Sequence, residues 1–232
     1  IPKGSGLGTS SSLLIGLSGA LNQLNKTGFT PQELIDWGAN IEAQSIKVLT
    51  GKQDYFAAMY GGINAVWSDV RGSRTERIEV REEIINKLNE SLVLSFAGEP
   101  RFSGATNWAL IKGYIDDSGR TREYLKELKE SGIRMYRCLV EQDLERFPQL
   151  LNEEWEIRKN IAEGVTNPEI DKIISEAERA GARAGKLCGA GGGGCMLTYV
   201  EVENREKVIK SLEANGAKIM EFKIAREGLT IT

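Results

Sequence analysis

The chain of 232 residues contains no histidine. That absence removes Ser-His and Cys-His nucleophile systems, and histidine acid–base chemistry, from this stretch of polypeptide. Proton transfer is left to Asp, Glu, Lys, Tyr or Cys. Cysteine is scarce, with only Cys138, Cys188 and Cys195 and no C-x-x-C pair. An odd, widely spaced set argues against a disulfide framework or structural zinc and suits a reducing compartment, so a cytoplasmic location is expected. No run approaches the roughly eighteen apolar residues of a membrane-spanning helix, and the opening lacks the basic start and long apolar stretch of a secretory signal. Neither sign of charge dominates: 30 Lys and Arg stand against 33 Asp and Glu, for a net charge of -3. That excludes the basic footprint of a nucleic-acid or anionic-membrane partner.

What is present is an ordinary globular composition, 41% hydrophobic, enough for one large domain or two small ones. Leu13, Leu14, Leu17, Ala20, Leu21 and Leu24 recur at helical spacing and predict an amphipathic helix with Ser10–Ser12 in its first turn and Lys26-Thr27-Gly28 at its end. A second helix is predicted over 31–49, with Thr30 as N-cap and Pro31 at the first position. Strands are expected over 63–67 and 76–80 around a loop containing Gly72, and over 92–96, where "LVLSF" reads as buried. Helices follow over about 104–116, 120–142, 147–163 and 168–180. The chain then reads strand (195–200), helix (203–215) and strand (218–224).

Three stretches carry the chemistry. The opening "IPKGSGLGTSSS" has glycines at 4, 6 and 8 followed by four hydroxyl residues. It is neither a Walker A loop nor a full Rossmann fingerprint. It reads equally as a serine-capped helix entry or as an anion site, where glycines let backbone N–H groups approach an anion and a helix N-terminus adds partial positive charge. In the second stretch, "GKQDYFAAMYGG", Asp54 either caps the helix that follows or faces a cavity and takes a proton from a substrate hydroxyl, with Lys52 nearby to hold it ionised. Glu42 reads as a surface acid unless Ser10 and a nucleotide lie opposite, when it becomes a metal ligand. The third, "GAGGGG" over 189–194, has five glycines in six positions. That is unfavourable for stability alone and points to a very tight turn or to close approach of backbone to a ligand.

Taken together and in this order, the three stretches resemble the GHMP kinase superfamily, which includes galactokinase, homoserine kinase, mevalonate kinase and phosphomevalonate kinase. The family's second motif is Pro-x-x-x-Gly-Leu-Gly-Ser-Ser-Ala-Ala; here it reads Pro2-Lys3-Gly4-Ser5-Gly6-Leu7-Gly8-Thr9-Ser10-Ser11-Ser12. Gly189–Gly194 matches the third motif, Gly51–Asp54 matches the intervening Gly-x-x-Asp segment, and the resemblance spans nearly the whole chain. "GSGLGTSSS", "GKQDYFAAMYGG" and the closing "KIAREGL" look closest to sugar kinases acting on heptose 7-phosphate, with fucokinase-type domains next. Arg101, in "AGEPR", is similar in place to an Arg that heptose kinases carry after a Thr-Gly pair, although Ala97 replaces that Thr. Tyr55 stands where many of these relatives carry Gln, which leaves substrate identity open.

The resemblance implies an α+β fold of two domains: a partial ribosomal-protein-S5-like N-terminal domain over 1–90 and a ferredoxin-like C-terminal domain over 91–232. It implies phosphoryl transfer from ATP to a hydroxyl of a small-molecule sugar or sugar phosphate, and leaves a homodimer open. Pro2, Gly4, Ser5, Gly6, Leu7, Gly8, Thr9, Ser10, Ser11 and Ser12 would wrap the nucleotide phosphates. Ser10 and Glu42 would hold Mg2+, and Asp54 would orient and deprotonate the acceptor. Gly61, Gly62, Arg101, Gly189, Ala190, Gly191, Gly192 and Gly193 would lie toward the substrate. A galactokinase-type kinase, a non-catalytic nucleotide- and sugar-binding pseudokinase, and a diphosphomevalonate-type decarboxylase are the alternatives on the same scaffold. Family members carry a further motif before the phosphate loop. Its absence here is expected to mark a fragment of a longer chain, and leaves the activity of this stretch alone open.

Overall fold

The computed structural model describes residues 2, 4–47, 50–98, 103–117 and 119–231. They divide into two compact units that interleave in sequence. One comprises Ile1–Leu7 with Val80–Lys223, the other Gly8–Glu79 with Ile224–Thr232. The chain thus passes between units inside the opening glycine stretch, whereas the sequence reading draws one boundary at residue 90.

The larger unit is built on a four-stranded antiparallel sheet of β3 (Leu92–Phe96), β4 (Ala182–Leu187), β5 (Cys195–Val200) and β6 (Lys218–Met220), in the order β4-β5-β3-β6. Reading along the chain, β3 leads through helices to β4, β4 turns directly into β5, and β5 leads through one helix to β6. This is the ferredoxin-like βαββαβ order, as expected. The helices are α5 (Ser103–Ile115), α6 (Thr121–Val140), α7 (Phe147–Lys159), α8 (Pro168–Arg179) and α9 (Arg205–Ala214). Ile170, Ile173, Ile174 and Ala177 of α8 recur at helical spacing, and pack with Val208 and Leu212 of α9 on Val93, Leu187, Met196 and Val200 of the sheet. Asn167 starts α8 by accepting from the N–H groups of Glu169 and Ile170, with Pro168 next. The free edge of β4 is covered by Asn152 of α7, whose amide donates to the Arg183 carbonyl and accepts from the Gly185 N–H.

Helix α4 (Glu82–Ser91) and strand β4 were not foreseen. The first shows only Ile84, Ile85 and Leu88 as a buried stripe over a short span. The second, "ARAGKL", lacks the β-branched and aromatic residues that mark strands, and is fixed by pairing with β5.

The smaller unit holds α1 (Thr9–Asn25), α2 (Pro31–Ile46), α3 (Gln53–Tyr60) and the hairpin of β1 (Asn64–Asp69) and β2 (Gly72–Arg77). The hairpin turns at Val70-Arg71, because Asp69 accepts from the Arg71 N–H and pairs in register with Gly72. Gly72 therefore opens β2 instead of lying in a loop. Helix α2 has the expected Thr30 cap, reciprocated by Glu33 in a capping box. It stops at Ile46, where Lys47 turns left-handed, short of the expected end at Leu49, which lies outside the described residues.

The leucine stripe of α1 is not its buried face. Leu13, Leu17 and Leu24 are 70%, 60% and 76% exposed, while Ser11, Ile15 and Gly19 are buried. The helix turns its small residues inward because its neighbours approach closely: a side chain at Gly19 would come within 2.5 Å of Leu229. Ile15 joins Leu34, Ile35, Ala39, Tyr55, Phe56 and Met59 in the core of this unit. Among the described residues no helix is long and apolar enough to cross a membrane.

Candidate functional site

In the larger unit the two glycine stretches, far apart in sequence, lie backbone to backbone. The Ser5 carbonyl accepts from the Cys195 N–H at 2.8 Å. A Cβ at Gly6 would stand 2.8 Å from the Cys188 carbonyl oxygen, and one at Gly189 would stand 3.0 Å from the Gly6 Cα. Both glycines have positive φ, so only residues without a side chain allow this approach. The Gly192 N–H donates to the Val165 carbonyl, and the Gly194 N–H to that of Gly98. No described residue accepts from the N–H groups of Ala190 and Gly193. Beside the turn, Glu154 of α7 joins Lys186 and Arg158 in a mostly buried cluster, and Arg158 reaches the Gly189 carbonyl at 3.4 Å. Sequence reasoning missed this cluster. Its one visible signal was the i,i+4 spacing of Glu154 and Arg158.

In the smaller unit α1 begins at Thr9 after a left-handed Gly8, with no side-chain cap and no acid in its first turn. The first N–H groups of this 17-residue helix lack intrahelical partners, and its N-cap has no side chain to satisfy them. They present donors and partial positive charge to an anion. Thr9, Ser10 and Ser12 are exposed there, whereas Ser11 is buried.

Ser10, Glu42 and Asp54 come together around this helix start. The Ser10 hydroxyl donates to Glu42 Oε1 at 2.5 Å. Asp54 lies against Gly8, where an added Cβ would stand 2.6 Å from the Asp54 Cβ and 3.2 Å from its Oδ2. Asp54 does not cap α3; Lys52 occupies the N-cap position and its side chain makes no capping bond. Nor does Lys52 neutralise it, since Lys52 pairs with Asp36 at 2.6 Å. Burial pushes the Asp54 carboxyl above its ordinary value, and the nearby charge of Glu42 adds to the shift. Gly61 and Gly62 lie at the end of α3 against the closing segment of this unit. The Gly62 N–H donates to the Ala225 carbonyl, and a Cβ at Gly61 would strike the backbone of Glu227. Arg101 lies outside the described residues.

Among the described residues no three His, Cys, Asp or Glu side chains cluster as a ready metal cage. Ser10 and Glu42 instead form a pair of hard oxygen donors beside the uncapped start of α1. That donor set fits Mg2+ shared with nucleotide phosphates, because Mg2+ takes few protein ligands and keeps waters and phosphate oxygens.

Two family models cover more than half of the chain: the GHMP kinases N terminal domain over residues 1–62 and GHMP kinases C terminal over residues 135–218. The chain belongs to the GHMP kinase family. Among its relatives is the D-glycero-alpha-D-manno-heptose 7-phosphate kinase of Campylobacter jejuni, 28% identical over 230 residues, covering 99% of this chain and 67% of that protein. The solved structure of a D-glycero-D-manno-heptose 1-phosphate kinase from Bacteriodes thetaiotaomicron superposes with a TM-score of 0.74 at 25% identity, over 100% of this chain and 66% of that one. Galactokinase of Lactococcus lactis, complexed with galactose, shares the fold with a TM-score of 0.74 at 23% identity, over 99% of this chain and 68% of that one. The chain spans about two thirds of the length of the relatives it matches.

Proposed function

We propose that this chain carries the phosphate-binding and catalytic residues of an ATP-dependent kinase that phosphorylates a hydroxyl of a sugar phosphate, with heptose 7-phosphate as the acceptor. Fucose- and galactose-type sugars are the alternative acceptors. The observation that carries the reading is the convergence of Gly8, Ser10, Glu42 and Asp54 at an uncapped helix start.

In this reading the N–H groups and exposed hydroxyls of the Gly4–Ser12 stretch hold the nucleotide phosphates. Ser10 and Glu42 hold Mg2+, which supplies charge neutralisation on the phosphate oxygens. Asp54 orients the acceptor hydroxyl and takes its proton as the acceptor oxygen bonds to the γ-phosphorus and the bond to ADP breaks. A carboxylate whose pKa is raised by burial is a better base for that step than an ordinary aspartate. The Gly189–Gly193 turn offers backbone donors to the substrate. Phosphoryl transfer rests on positioning and electrostatics, so a chain without histidine is adequate to it. Cys138, Cys188 and Cys195 form no disulfide, which suits a reducing, cytoplasmic setting.

The test is ADP release by the intact protein with Mg-ATP against a panel of heptose 7-phosphate, heptose 1-phosphate, fucose, galactose and mevalonate. The reading expects the sugar phosphate carrying a free hydroxyl to give the highest kcat/KM. Preference for mevalonate, or acceptor-independent ATP turnover only, would overturn it.

A further inference from the structure

Tyr55 is fully buried, yet its hydroxyl belongs to a run of hydrogen-bonded side chains. Its Oη donates to Glu42 Oε2 at 2.5 Å and lies 3.3 Å from the Gly38 carbonyl. A phenol has one proton, and the shorter contact to a charged acceptor takes it. Ser10 meets the other oxygen of Glu42. The three side chains therefore run Tyr55–Glu42–Ser10, ending in the first turn of α1.

The helices are shaped around this run. Gly38 and Glu42 sit one turn apart on the same face of α2. A Cβ at Gly38 would come within 3.0 Å of the Tyr55 ring, so the missing side chain makes room for the ring while Glu42 meets its hydroxyl. Tyr55 also follows Asp54 directly in α3, tying the base and the carboxylate to one rigid element.

We propose that Tyr55 is a positioning residue for the cation site: by fixing Glu42 Oε2 it directs Oε1 toward Ser10, where the metal is held. The inference rests on the kinase reading above. A packing residue would need only the ring; the hydroxyl is explained by the carboxylate it orients. Partners of this kind set the direction of a metal ligand, and their loss weakens metal affinity by about 10- to 100-fold.

The experiment is Mn2+ titration of the intact protein in the presence of ADP, followed by the loss of free Mn2+ signal in electron paramagnetic resonance. Tyr55→Phe keeps the ring and removes the hydroxyl. It is expected to weaken Mn2+ affinity about tenfold or more while leaving ADP affinity in excess chelator unchanged. Mn2+ affinity within about twofold of wild type would overturn the assignment and leave the kinase reading standing. Failure of the wild-type protein to bind Mn2+ with ADP would overturn the kinase reading and this inference together. If Tyr55→Phe does not fold, Gly38→Ala serves instead: its methyl displaces the ring by a few tenths of an ångström. It is expected to weaken Mn2+ binding severalfold, and an unchanged affinity would again overturn the assignment.

Discussion

Gly8→Ala places a methyl group where the chain leaves no room. Gly8 adopts φ +65°, the left-handed region, and its added Cβ would stand 2.6 Å from the Cβ and 2.8 Å from the Cγ of Asp54. Ordinary contact begins near 3.4 Å, so Asp54 and the helix start must separate by about 0.8 Å. The left-handed backbone alone costs about 1–2 kcal/mol for a residue with a side chain. The larger effect falls on chemistry. A displacement approaching 1 Å of a positioned catalytic group costs on the order of a hundredfold in rate. We therefore expect Gly8→Ala to lower kcat on the order of a hundredfold, in a protein that remains folded. Gly16→Ala is the control, because Gly16 lies in the same helix with nothing within 4 Å of an added Cβ. Exchanging glycine for alanine in a helix interior stabilises by about 1 kcal/mol and should leave kcat unchanged. The assay is steady-state phosphoryl transfer beside chemical denaturation of each variant. A Gly8→Ala protein with kcat within about threefold of wild type would refute the close apposition of Asp54 and the helix start.

Two further outcomes test the electrostatics. Burial and Glu42 raise the Asp54 pKa in the folded state, so the folded protein holds that proton more tightly than the unfolded chain. The stabilisation is fully present below the unfolded pKa and is lost as pH rises through the folded one. Asp54→Asn should therefore be more stable than wild type at neutral pH in metal-free buffer, with the difference closing in acid; thermal melts across pH read this, and an equal or lower stability at neutral pH would contradict it. In the larger unit, burial of Glu154 opposes its ionisation, but Lys186 and Arg158 outweigh that and hold its pKa low. Glu154→Gln strands the buried Lys186 charge and should cost about 3–5 kcal/mol in denaturant titration, against little for Lys186→Met, which leaves Glu154 with Arg158; equal losses would argue against the cluster.

The glycine stretches, the Thr30 cap, the buried strand "LVLSF" and the strand–helix–strand ending were all legible in the sequence, because each is set by local chemistry. What was not legible depended on contacts distant in sequence. The leucines of α1 suggested a buried face, but close approach of Leu229 selects Gly19 and its neighbours instead. Strand β4 is a strand by virtue of its pairing with β5 and its edge partner Asn152. At the site, the pattern named Ser10, Glu42 and Asp54, but whether Glu42 faces Ser10 depends on how α1 and α2 pack. The pattern gave Asp54 the wrong neighbour, since Lys52 turns to Asp36. Tyr55 drew notice only as a departure from its relatives, and its bond to Glu42 becomes visible only when α2 and α3 are packed.

If Asp54 accepts the proton of a hydroxyl as that hydroxyl takes up the γ-phosphoryl group of ATP, turnover depends on its carboxylate. The most direct measurement compares wild type and Asp54→Asn in the intact protein, following acceptor phosphate and ADP together and measuring nucleotide affinity by equilibrium titration. Wild type should form acceptor phosphate and ADP in equal amounts, while Asp54→Asn retains nucleotide affinity and loses on the order of a thousandfold or more in kcat, near the upper end of what a positioned general base contributes. Near-normal turnover by Asp54→Asn would contradict the account.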